Sequence, residues 1–383
     1  MRQEGQTADA VMERLRAARG RDRSLAAGDV LGSMCTAPHE LARAAHDLFL
    51  ETNLGDPDHF PGIAALEKEL LADFVALFCG PETAGARYLT GGTEANLLAL
   101  YAARERGAGK RKVVLPESAH FSFQKAARLL GMELVWVPTG PDGRADVDAM
   151  AAALDDQTAL LVGVAGTTEL GLVDPIDRLS DLAVRTDVPL HVDAAFGGYV
   201  LPFLEAAGET PLPFDFRLPG VWSISVDPHK VGQATIPGGV LVLRDEEDWA
   251  RLAVETPYVS TDKQTTIMGT RPGAAVAACW AVHQAMGRRG FAKTTARLLA
   301  DSRHLATGLE ALCIDLVAPP QLNVVTFRAD DPVRLAKALD AAGFRVNVVP
   351  RFGAIRIVVN PHVTRDVIDR FLGALPELLE TVP

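Results

Sequence analysis

The stretch SISVDPHKVG, residues 223–232, is the part of the sequence that indicates the fold most directly, because an apolar run here ends in Lys230. Val221, Ile224 and Val226 mark an apolar, β-branched strand, the kind that a parallel sheet buries on both faces. An ammonium group is costly to desolvate. A lysine at the end of such a strand therefore reaches water, pairs with an anion, or works as an amine nucleophile with a lowered pKa.

Short apolar runs alternate with helical stretches around this one. The strand candidates are KVVLP (112–116), ELVWVP (133–138), TALLVGVAG (158–166), PLHVDAAF (189–196), VWSISVD (221–227) and GGVLVLR (238–244). This alternation is typical of βαβ units and predicts a large α/β domain with a mostly parallel sheet over residues 51–290. Residues 1–50 are predicted to form a helical N-terminal arm, and residues 291–383 a small α+β domain.

Composition narrows the function classes. The net charge of -11 argues against a nucleic-acid or anionic-membrane surface. No run approaches the roughly 20 apolar residues that span a bilayer, and the first residues lack an apolar signal core, so we expect a cytoplasmic protein acting on a small molecule. The cysteines are widely spaced without a CxxC pair, so we expect reduced thiols and no metal site.

Polar residues follow the apolar runs, where ligands gather in open parallel sheets. In TGGTEANLLAL (90–100), Gly91, Gly92 and Thr93 precede an apolar helix. The free amides and positive dipole end of that helix suit a phosphate. The alternative is that Thr93 only caps the helix.

Asp193, His120 and Lys230 lie at the ends of three further strands and could bind the same ligand. Asp193 ends a strand and is followed by small residues that leave room for a flat group, although a solvated aspartate would look the same. His120 follows the strand KVVLP, and on its own would be read as structural. A phosphate cradle, a flat ring, a carboxylate and a lysine together are what pyridoxal 5'-phosphate requires. Lys230 would form the Schiff base, Asp193 would pair with the ring nitrogen, and His120 and Ala195 would cover the two ring faces.

The motifs stand in the order and spacing of group II pyridoxal-phosphate decarboxylases. The chain most resembles the archaeal-type L-tyrosine/L-aspartate decarboxylases, from ETNLGDPDHFPGIAALEKEL (51–70) through GGTEAN, AHFSFQKAA, GTTELGLVDPI, HVDAAFGGYVLPF, SVDPHKVG and GTRPGAA to IRIVVNPHVT (355–364). The resemblance implies pyridoxal-phosphate fold type I, the aspartate aminotransferase fold. It also implies α-decarboxylation of L-aspartate to β-alanine, of L-tyrosine to tyramine, or of both, with release of CO2.

The resemblance also implies individual roles. Phosphate contacts are implied for Gly92, Thr93, Ser225 and His229. Thr168 would approach the cofactor's O3' side or the substrate carboxylate, and Asn53 would line the substrate entrance. Arg356, in AIRIVVN, would clamp the substrate α-carboxylate, a task suited to a bidentate fork. The alternatives are that Thr168 caps a turn, Asn53 shapes a loop, and Arg356 is an exposed strand residue.

Residues 257–275 are polar and contain glycine, which favours a mobile loop over the site. In relatives the partner subunit supplies this region, so Gly269 and Thr270 are expected to reach the neighbouring phosphate. A homodimer with shared active sites follows. Lys230 or Tyr258 would then protonate the substrate Cα.

Two questions stay open at the level of sequence. A sphingosine-phosphate-lyase-like enzyme, which breaks Cα–Cβ in a phosphorylated amino alcohol, shares the TN, FPG, GGTE and RPGA patterns. The amino-acid substrate is also undecided. Aspartate needs a second cation, with candidates His59, Lys263 and Arg351, whereas tyrosine needs an apolar slot, with candidates Phe60, Phe196 and Tyr199.

Overall fold

The computed structural model describes residues 1–381. Its central sheet has seven strands: β1 Gly85–Leu89, β2 Lys112–Pro116, β3 Glu133–Val137, β4 Thr158–Val164, β5 Leu190–Asp193, β6 Val221–Val226 and β7 Gly239–Leu243. Their order across the sheet is β1-β7-β6-β5-β4-β2-β3. Strand β7 runs antiparallel to β1 and β6, and the other neighbours are parallel. The predicted, mostly parallel sheet is confirmed.

The structure adds one strand to the six predicted for the central sheet. Strand β1 was missed because its sequence, GARYL, has Arg87 at its centre and no run of β-branched residues. Arg87 is accommodated because its guanidinium lies 4.9 Å above the ring of Trp249 and pairs with Glu246. Strand β7 can run antiparallel because only a loop joins it to β6, whereas a parallel neighbour needs a crossover, usually a helix.

Eleven α-helices within residues 1–381 surround the central sheet and continue into the C-terminal part of the chain. They are α1 Ala8–Arg19, α2 Glu40–Leu48, α3 Pro61–Leu77, α4 Gly92–Arg106, α5 Ser122–Leu130, α6 Val147–Ala153, α7 Ile176–Thr186, α8 Glu246–Ala250, α9 Gly273–Ala311, α10 Pro332–Ala341 and α11 Arg365–Thr381. Helix α9 is broken at Gly287, whose φ of 54° and ψ of -177° are not helical, so it consists of two helical stretches. The domain boundary predicted at residue 290 lies just beyond this break and stays a prediction.

Two smaller sheets complete the fold. Strands β10 Val324–Arg328, β11 Asn347–Val349 and β12 Ala354–Val358 form an antiparallel sheet with β12 in the middle. A short hairpin joins β8 Val254–Glu255 to β9 Lys263–Gln264. Within residues 1–381, none of the helices combines the length and apolar character needed to cross a bilayer.

Gly239, the first residue of β7, lies against the backbone of the turn before α4. A Cβ at this position would be 2.5 Å from the Gly91 Cα, and that backbone cannot swing aside as a side chain could. We expect Gly239→Ala to lower the free energy of unfolding by about 1–3 kcal/mol, as overpacking does. Urea unfolding of the variant measures this loss.

Gly373→Ala is the matched control for Gly239→Ala. A Cβ at Gly373 would meet no atom within 4 Å, and the residue lies inside α11. Alanine is favoured over glycine inside helices by up to about 1 kcal/mol, so this variant should be no less stable than the wild type. Equal stability of the two variants would contradict the close approach of Gly239 to Gly91.

Candidate active site

A cavity of about 350 Å³ lies at the carboxyl ends of β4, β5 and β6, facing the first turn of α4. Polar ligands gather at this edge of a parallel sheet because each strand is followed there by a loop rather than by the next buried element. Ten of the residues singled out from the sequence line it: Gly91, Gly92, Thr93, His120, Thr168, Asp193, Ala195, Phe196, His229 and Lys230. The four strand ends therefore do converge on one space.

The first turn of α4 forms one wall of the cavity. Gly91 has a φ of 150°, a backbone conformation that favours glycine. The carboxylate of Glu94 accepts hydrogen bonds from the backbone N–H and the hydroxyl of Thr90, 2.8 and 2.7 Å away, which holds the turn. The free amides at the start of the helix are thus presented to the cavity, as an anion site requires.

His229 lies beside this turn. Its Nδ1–H donates to the carbonyl oxygen of Gly238, and its Nε2 lies 3.8 Å from Oδ2 of Asp227. Burial lowers the pKa of His229, while the carboxylate of Asp227 opposes that shift. Proximity to Gly91 and a fixed ring orientation fit the predicted phosphate contact of His229.

Asp193, at the end of β5, is buried and fully hydrogen-bonded. It accepts from Asn96 Nδ2 at 2.8 Å, from the backbone N–H of Ala195 at 3.1 Å and from Ser225 Oγ at 3.3 Å. Asn96 lies one turn into α4 and was not given a role from the sequence. These contacts fix the position of the carboxylate at the end of β5, where it could pair with a protonated ring nitrogen.

The predicted phosphate contact of Ser225 needs correction. Its side chain is completely buried, and its Oγ donates to Asn96 at 3.1 Å and reaches Asp193. The cause is the register of the sheet: Ser225 pairs with Asp193 across β6 and β5, and Ser223 pairs with His191 in the same way. Residues two apart in a strand share a face, so the two serines lie side by side, Ser225 against Asp193 and Ser223 against His191.

His191 completes this buried network, which the sequence did not reveal. Its Nε2–H donates to Asn96 Oδ1 at 3.1 Å, and its Nδ1 accepts from Ser223 Oγ at 2.8 Å. Burial lowers the pKa of His191 to about 4, against the opposing charge of Asp193. The neutral ring therefore fixes the amide of Asn96 with its Nδ2 towards Asp193.

This histidine makes the stability of the cofactor-free protein depend on pH. The pKa of His191 is about 4 in the folded state, below the value near 6.5 of an exposed histidine, so between these values the unfolded chain binds more protons. Lowering the pH from 7 to 5 should therefore cost about 2 kcal/mol of unfolding free energy through His191 alone. Urea unfolding should show a smaller loss in His191→Asn. An identical loss in both proteins would contradict the assignment.

His120 follows β2 and lies on the wall of the cavity. Its Nδ1 accepts from the backbone N–H of Ser122 at 3.2 Å, and its ring is tilted against Phe121 with centroids 4.0 Å apart. Burial lowers the pKa of His120, partly offset by Asp193. The imidazole is therefore held neutral as a flat face, which fits the predicted contact with a ring.

Lys230 has a partner that the sequence analysis overlooked. Its Nζ lies 3.0 Å from Oδ2 of Asp227, and the two side chains are 18% and 4% exposed. Burial opposes the ammonium charge, but Asp227 and Asp193 together outweigh it, so the pKa of Lys230 is raised. The i,i+3 spacing of these residues within the turn DPHK was the signal that could have found Asp227.

Arg356 is buried rather than exposed. Its guanidinium donates to the carbonyl oxygens of Thr168 at 2.7 Å and Gly32 at 2.8 Å, while its Nε has no partner within residues 1–381. Thr168 lines the cavity, so Arg356 stands directly behind that wall. Its contact with a substrate carboxylate stays a prediction.

A second set of predicted residues lies outside the walls of this cavity. Asn53 Oδ1 accepts from the backbone N–H groups of Gly55 and Arg271, which ties the segment around Gly269 and Thr270 to residues 53–55. Tyr258 is 89% exposed. In the described part of this chain, Lys230 and the predicted lid residues thus belong to separate regions.

The three cations considered for binding an aspartate side chain are not among the residues that line the cavity. His59 pairs with Asp56 at 3.0 Å, Lys263 is exposed in β9, and Arg351 lies 3.2 Å from Glu117 and 3.9 Å from Glu169.

Of the three aromatic candidates, Phe196 lines the cavity. Tyr199 is buried and its hydroxyl meets His283 Nε2 at 2.7 Å, and Phe60 packs on the core.

Comparison with known proteins decides the family. Residues 50–330 match the model of the pyridoxal-dependent decarboxylase conserved domain. The chain belongs to the pyridoxal-dependent decarboxylase family. A relative from Methanothermobacter thermautotrophicus, named "Probable L-tyrosine/L-aspartate decarboxylase", is 45% identical over 91% of this chain and 96% of its own. An L-aspartate/L-glutamate decarboxylase from Pyrococcus horikoshii is 42% identical over 94% of each chain.

A solved structure agrees with this fold. The sphingosine-1-phosphate lyase of Burkholderia pseudomallei matches with a TM-score of 0.91 and 31% identity, covering 99% of this chain and 92% of its own. This decarboxylase therefore has pyridoxal-phosphate fold type I, and it is a pyridoxal-phosphate-dependent carboxy-lyase that acts on an amino acid. The cofactor, the reaction class and the fold expected from the sequence are confirmed.

The residues around the cavity fit the cofactor on structural grounds. The start of α4 approaches the other cavity residues closely, because a Cβ at Gly92 would lie 3.1 Å from Ala195 and from Asp227. Asp227 Oδ1 has no hydrogen-bond partner within residues 1–381, as expected of a group that faces a ligand site. Lysine, carboxylate and anion cradle border one space of suitable size.

Proposed function

We propose that this enzyme removes the α-carboxylate of L-aspartate, of L-tyrosine, or of both, giving β-alanine or tyramine and CO2. The observation that supports the proposal most is the convergence of Lys230, Asp193 and the α4 cradle on one cavity. Relatives at 42–47% identity that are named as probable L-tyrosine/L-aspartate decarboxylases supply the two substrates. Family membership makes the reaction a decarboxylation, and the substrate is the part that is proposed.

The chain offers a partner for each part of pyridoxal 5'-phosphate. We assign the phosphate to Gly92, Thr93 and His229, the ring nitrogen to Asp193, and the aldehyde carbon to Lys230. His120 and Ala195 would lie against the ring. When bound, the cofactor accepts the electron pair that is left when a bond to the substrate Cα breaks.

The protein's own part is to choose which bond breaks. A carboxylate held perpendicular to the ring is the group that leaves, so its anchor decides the reaction. We assign this anchor to the wall formed by Thr168 and Arg356, because Arg356 holds the carbonyl of Thr168 and brings a buried positive charge up to that wall. The same charge attracts a carboxylate into the cavity.

We propose further that the active unit is a homodimer. Residues around Asn53, Tyr258, Gly269 and Thr270 lie outside the cavity of their own chain. The surface near them exposes large apolar side chains, among them Ile267 at 51% and Met268 at 47%. Burial of this segment against a second copy would bring Gly269 and Thr270 to that copy's phosphate and Tyr258 to its substrate Cα.

A second candidate rests on the 31% identity to a sphingosine-1-phosphate lyase. Such an enzyme would cleave the Cα–Cβ bond of a phosphorylated amino alcohol. The decarboxylase relatives are 42–47% identical over at least nine-tenths of this chain, so decarboxylation is the stronger proposal.

The test is product analysis by mass spectrometry with the purified, cofactor-loaded enzyme. L-Aspartate, L-tyrosine, L-glutamate and sphingosine 1-phosphate are supplied separately, and CO2 is measured in parallel. We expect β-alanine or tyramine with equimolar CO2. Release of CO2 from glutamate alone would overturn the proposed substrates, and an aldehyde from sphingosine 1-phosphate without CO2 from any amino acid would establish the lyase.

A further inference from the structure

We propose that Asp227 is the proton-exchange partner of Lys230. In the cofactor-free protein it holds the lysine as an ammonium ion, and when an aldehyde enters the cavity it takes one proton and frees the amine. The proposal deepens the cofactor chemistry that the family implies. It does not depend on which amino acid the enzyme decarboxylates.

The geometry of the turn supports this pairing. Asp227 Oδ2 lies 3.0 Å from Lys230 Nζ, a distance at which one proton can be shared. The turn is fixed at both ends, since the Lys230 N–H donates to the Asp227 carbonyl at 3.1 Å and the Asp227 N–H donates to Ala195 at 3.3 Å. The backbone of the turn therefore holds the two side chains on the same side, within reach of each other.

The second oxygen of Asp227 points to a function beyond a static ion pair. Oδ1 is buried and has no hydrogen-bond partner within residues 1–381. An unpaired buried acceptor is costly, and most native structures avoid it. This oxygen is available to accept or return a proton when a ligand fills the cavity.

Asp193, the other carboxylate of the site, has no oxygen free to accept a proton from Lys230. Both oxygens of Asp193 are occupied, Oδ2 by Asn96 and Oδ1 by Ala195 N–H and Ser225. Asp227, in contrast, lies against Gly92 at the start of α4, where a negative charge is favoured. The site thus has one carboxylate for the ring nitrogen and another for the lysine.

The groups that act on the charge of Lys230 are few. Asp227 and Asp193 favour the ammonium form, and the Cys35 thiol would do so if ionised. The two histidines that interact with Lys230, His120 and His229, both have pKa values lowered by burial and so are neutral near pH 7. Asp227 is the nearest anion, and its removal should change the charge of Lys230 most.

Lys230 and Asp227 together account for every proton that moves when the lysine bonds to the aldehyde. The ammonium gives one proton to Asp227, and the neutral Nζ forms a bond to the aldehyde carbon of pyridoxal 5'-phosphate. The C–O bond then breaks, and its oxygen leaves as water with two protons, one from Nζ and one returned by Asp227. The nitrogen ends positively charged and double-bonded to carbon, with the Asp227 carboxylate restored beside it.

The test uses the full-length, cofactor-free protein and its Asp227→Asn variant. Both are treated with acetic anhydride over a range of pH, and acetylation of the peptide containing Lys230 is measured by mass spectrometry. The midpoint pH of acetylation should fall by roughly 1–3 units in the variant, because a charge partner at hydrogen-bond distance is lost. Asp227→Glu should restore most of that fall.

A second readout follows the cofactor itself. After loading with pyridoxal 5'-phosphate, the visible band that reports the proton on the bound nitrogen should convert at lower pH in Asp227→Asn than in the wild type. Asp301→Asn is the matched control, since Asp301 is also buried and pairs with Arg297 and Arg365 away from the cavity. It should leave both midpoints unchanged.

Unchanged or raised midpoints in Asp227→Asn would overturn the proposal. If that variant does not fold, Asp227→Ser also removes the carboxylate and the same fall is expected. Neither readout uses an amino-acid substrate. A failure here therefore leaves the substrate proposal intact, and a wrong substrate leaves this inference intact.

Discussion

Lys230→Ala is expected to lower the rate of decarboxylation by about 10²–10⁴-fold, the range over which a positioned proton-transferring side chain contributes. The loss is larger if covalent attachment contributes as well. Lys230 borders the cavity, and its Nζ is held 3.0 Å from Asp227. The measurement is CO2 release under saturating substrate, together with the visible spectrum of the loaded protein.

The spectrum separates the cause of that loss. In the wild type, borohydride should fix the cofactor covalently to the peptide that contains Lys230. In Lys230→Ala the cofactor should be removed by dialysis and leave no such peptide. Lys230→Arg retains the positive charge but not the reactive amine, so it should behave like Lys230→Ala. Covalent fixation to any other lysine would contradict the assignment of Lys230.

The second large effect is expected for Asp193→Asn. A neutral amide cannot stabilise a proton on the ring nitrogen, so the electron pair freed at Cα is accepted less readily. Loss of one such preorganised electrostatic contact lowers kcat by about 10²–10³-fold in other enzymes, and we expect a fall of that size. The KM for the substrate should change much less, because Asp193 lies at the end of β5 beneath the cavity.

Ser223→Ala is the matched control for Asp193→Asn. Ser223 pairs with His191 across the same two strands, yet it makes no contact with the carboxylate of Asp193. The variant should retain most of the wild-type kcat. A wild-type kcat in Asp193→Asn, or an equal loss in both variants, would contradict the role given to Asp193.

Several elements were predictable because their signals are local. Six of the seven strands of the central sheet follow from short apolar runs, and β1 was missed because Arg87 interrupts its pattern. The antiparallel direction of β7 depends on the absence of a helix after β6, which the apolar pattern does not report. Helix α9 is interrupted at Gly287, close to the boundary predicted at residue 290, because the backbone of this glycine is not helical.

The sequence alone determined the cofactor and the residues proposed to bind it, namely Lys230, Asp193, His120 and the Gly92–Thr93 turn. Each of these follows an apolar run or begins a helix, and the carboxyl ends of parallel strands meet at one edge of the sheet. Position along the chain was therefore enough to place them together.

Only the tertiary structure decided how these residues are supported. Asn96 meets Asp193 across 97 positions of sequence, and His191 meets Ser223 across 32. The register between β5 and β6 turned Ser225 beneath Asp193, and burial placed Arg356 behind Thr168. Such contacts depend on strand register and side-chain direction, and no local pattern of hydrophobic and polar residues reports either one.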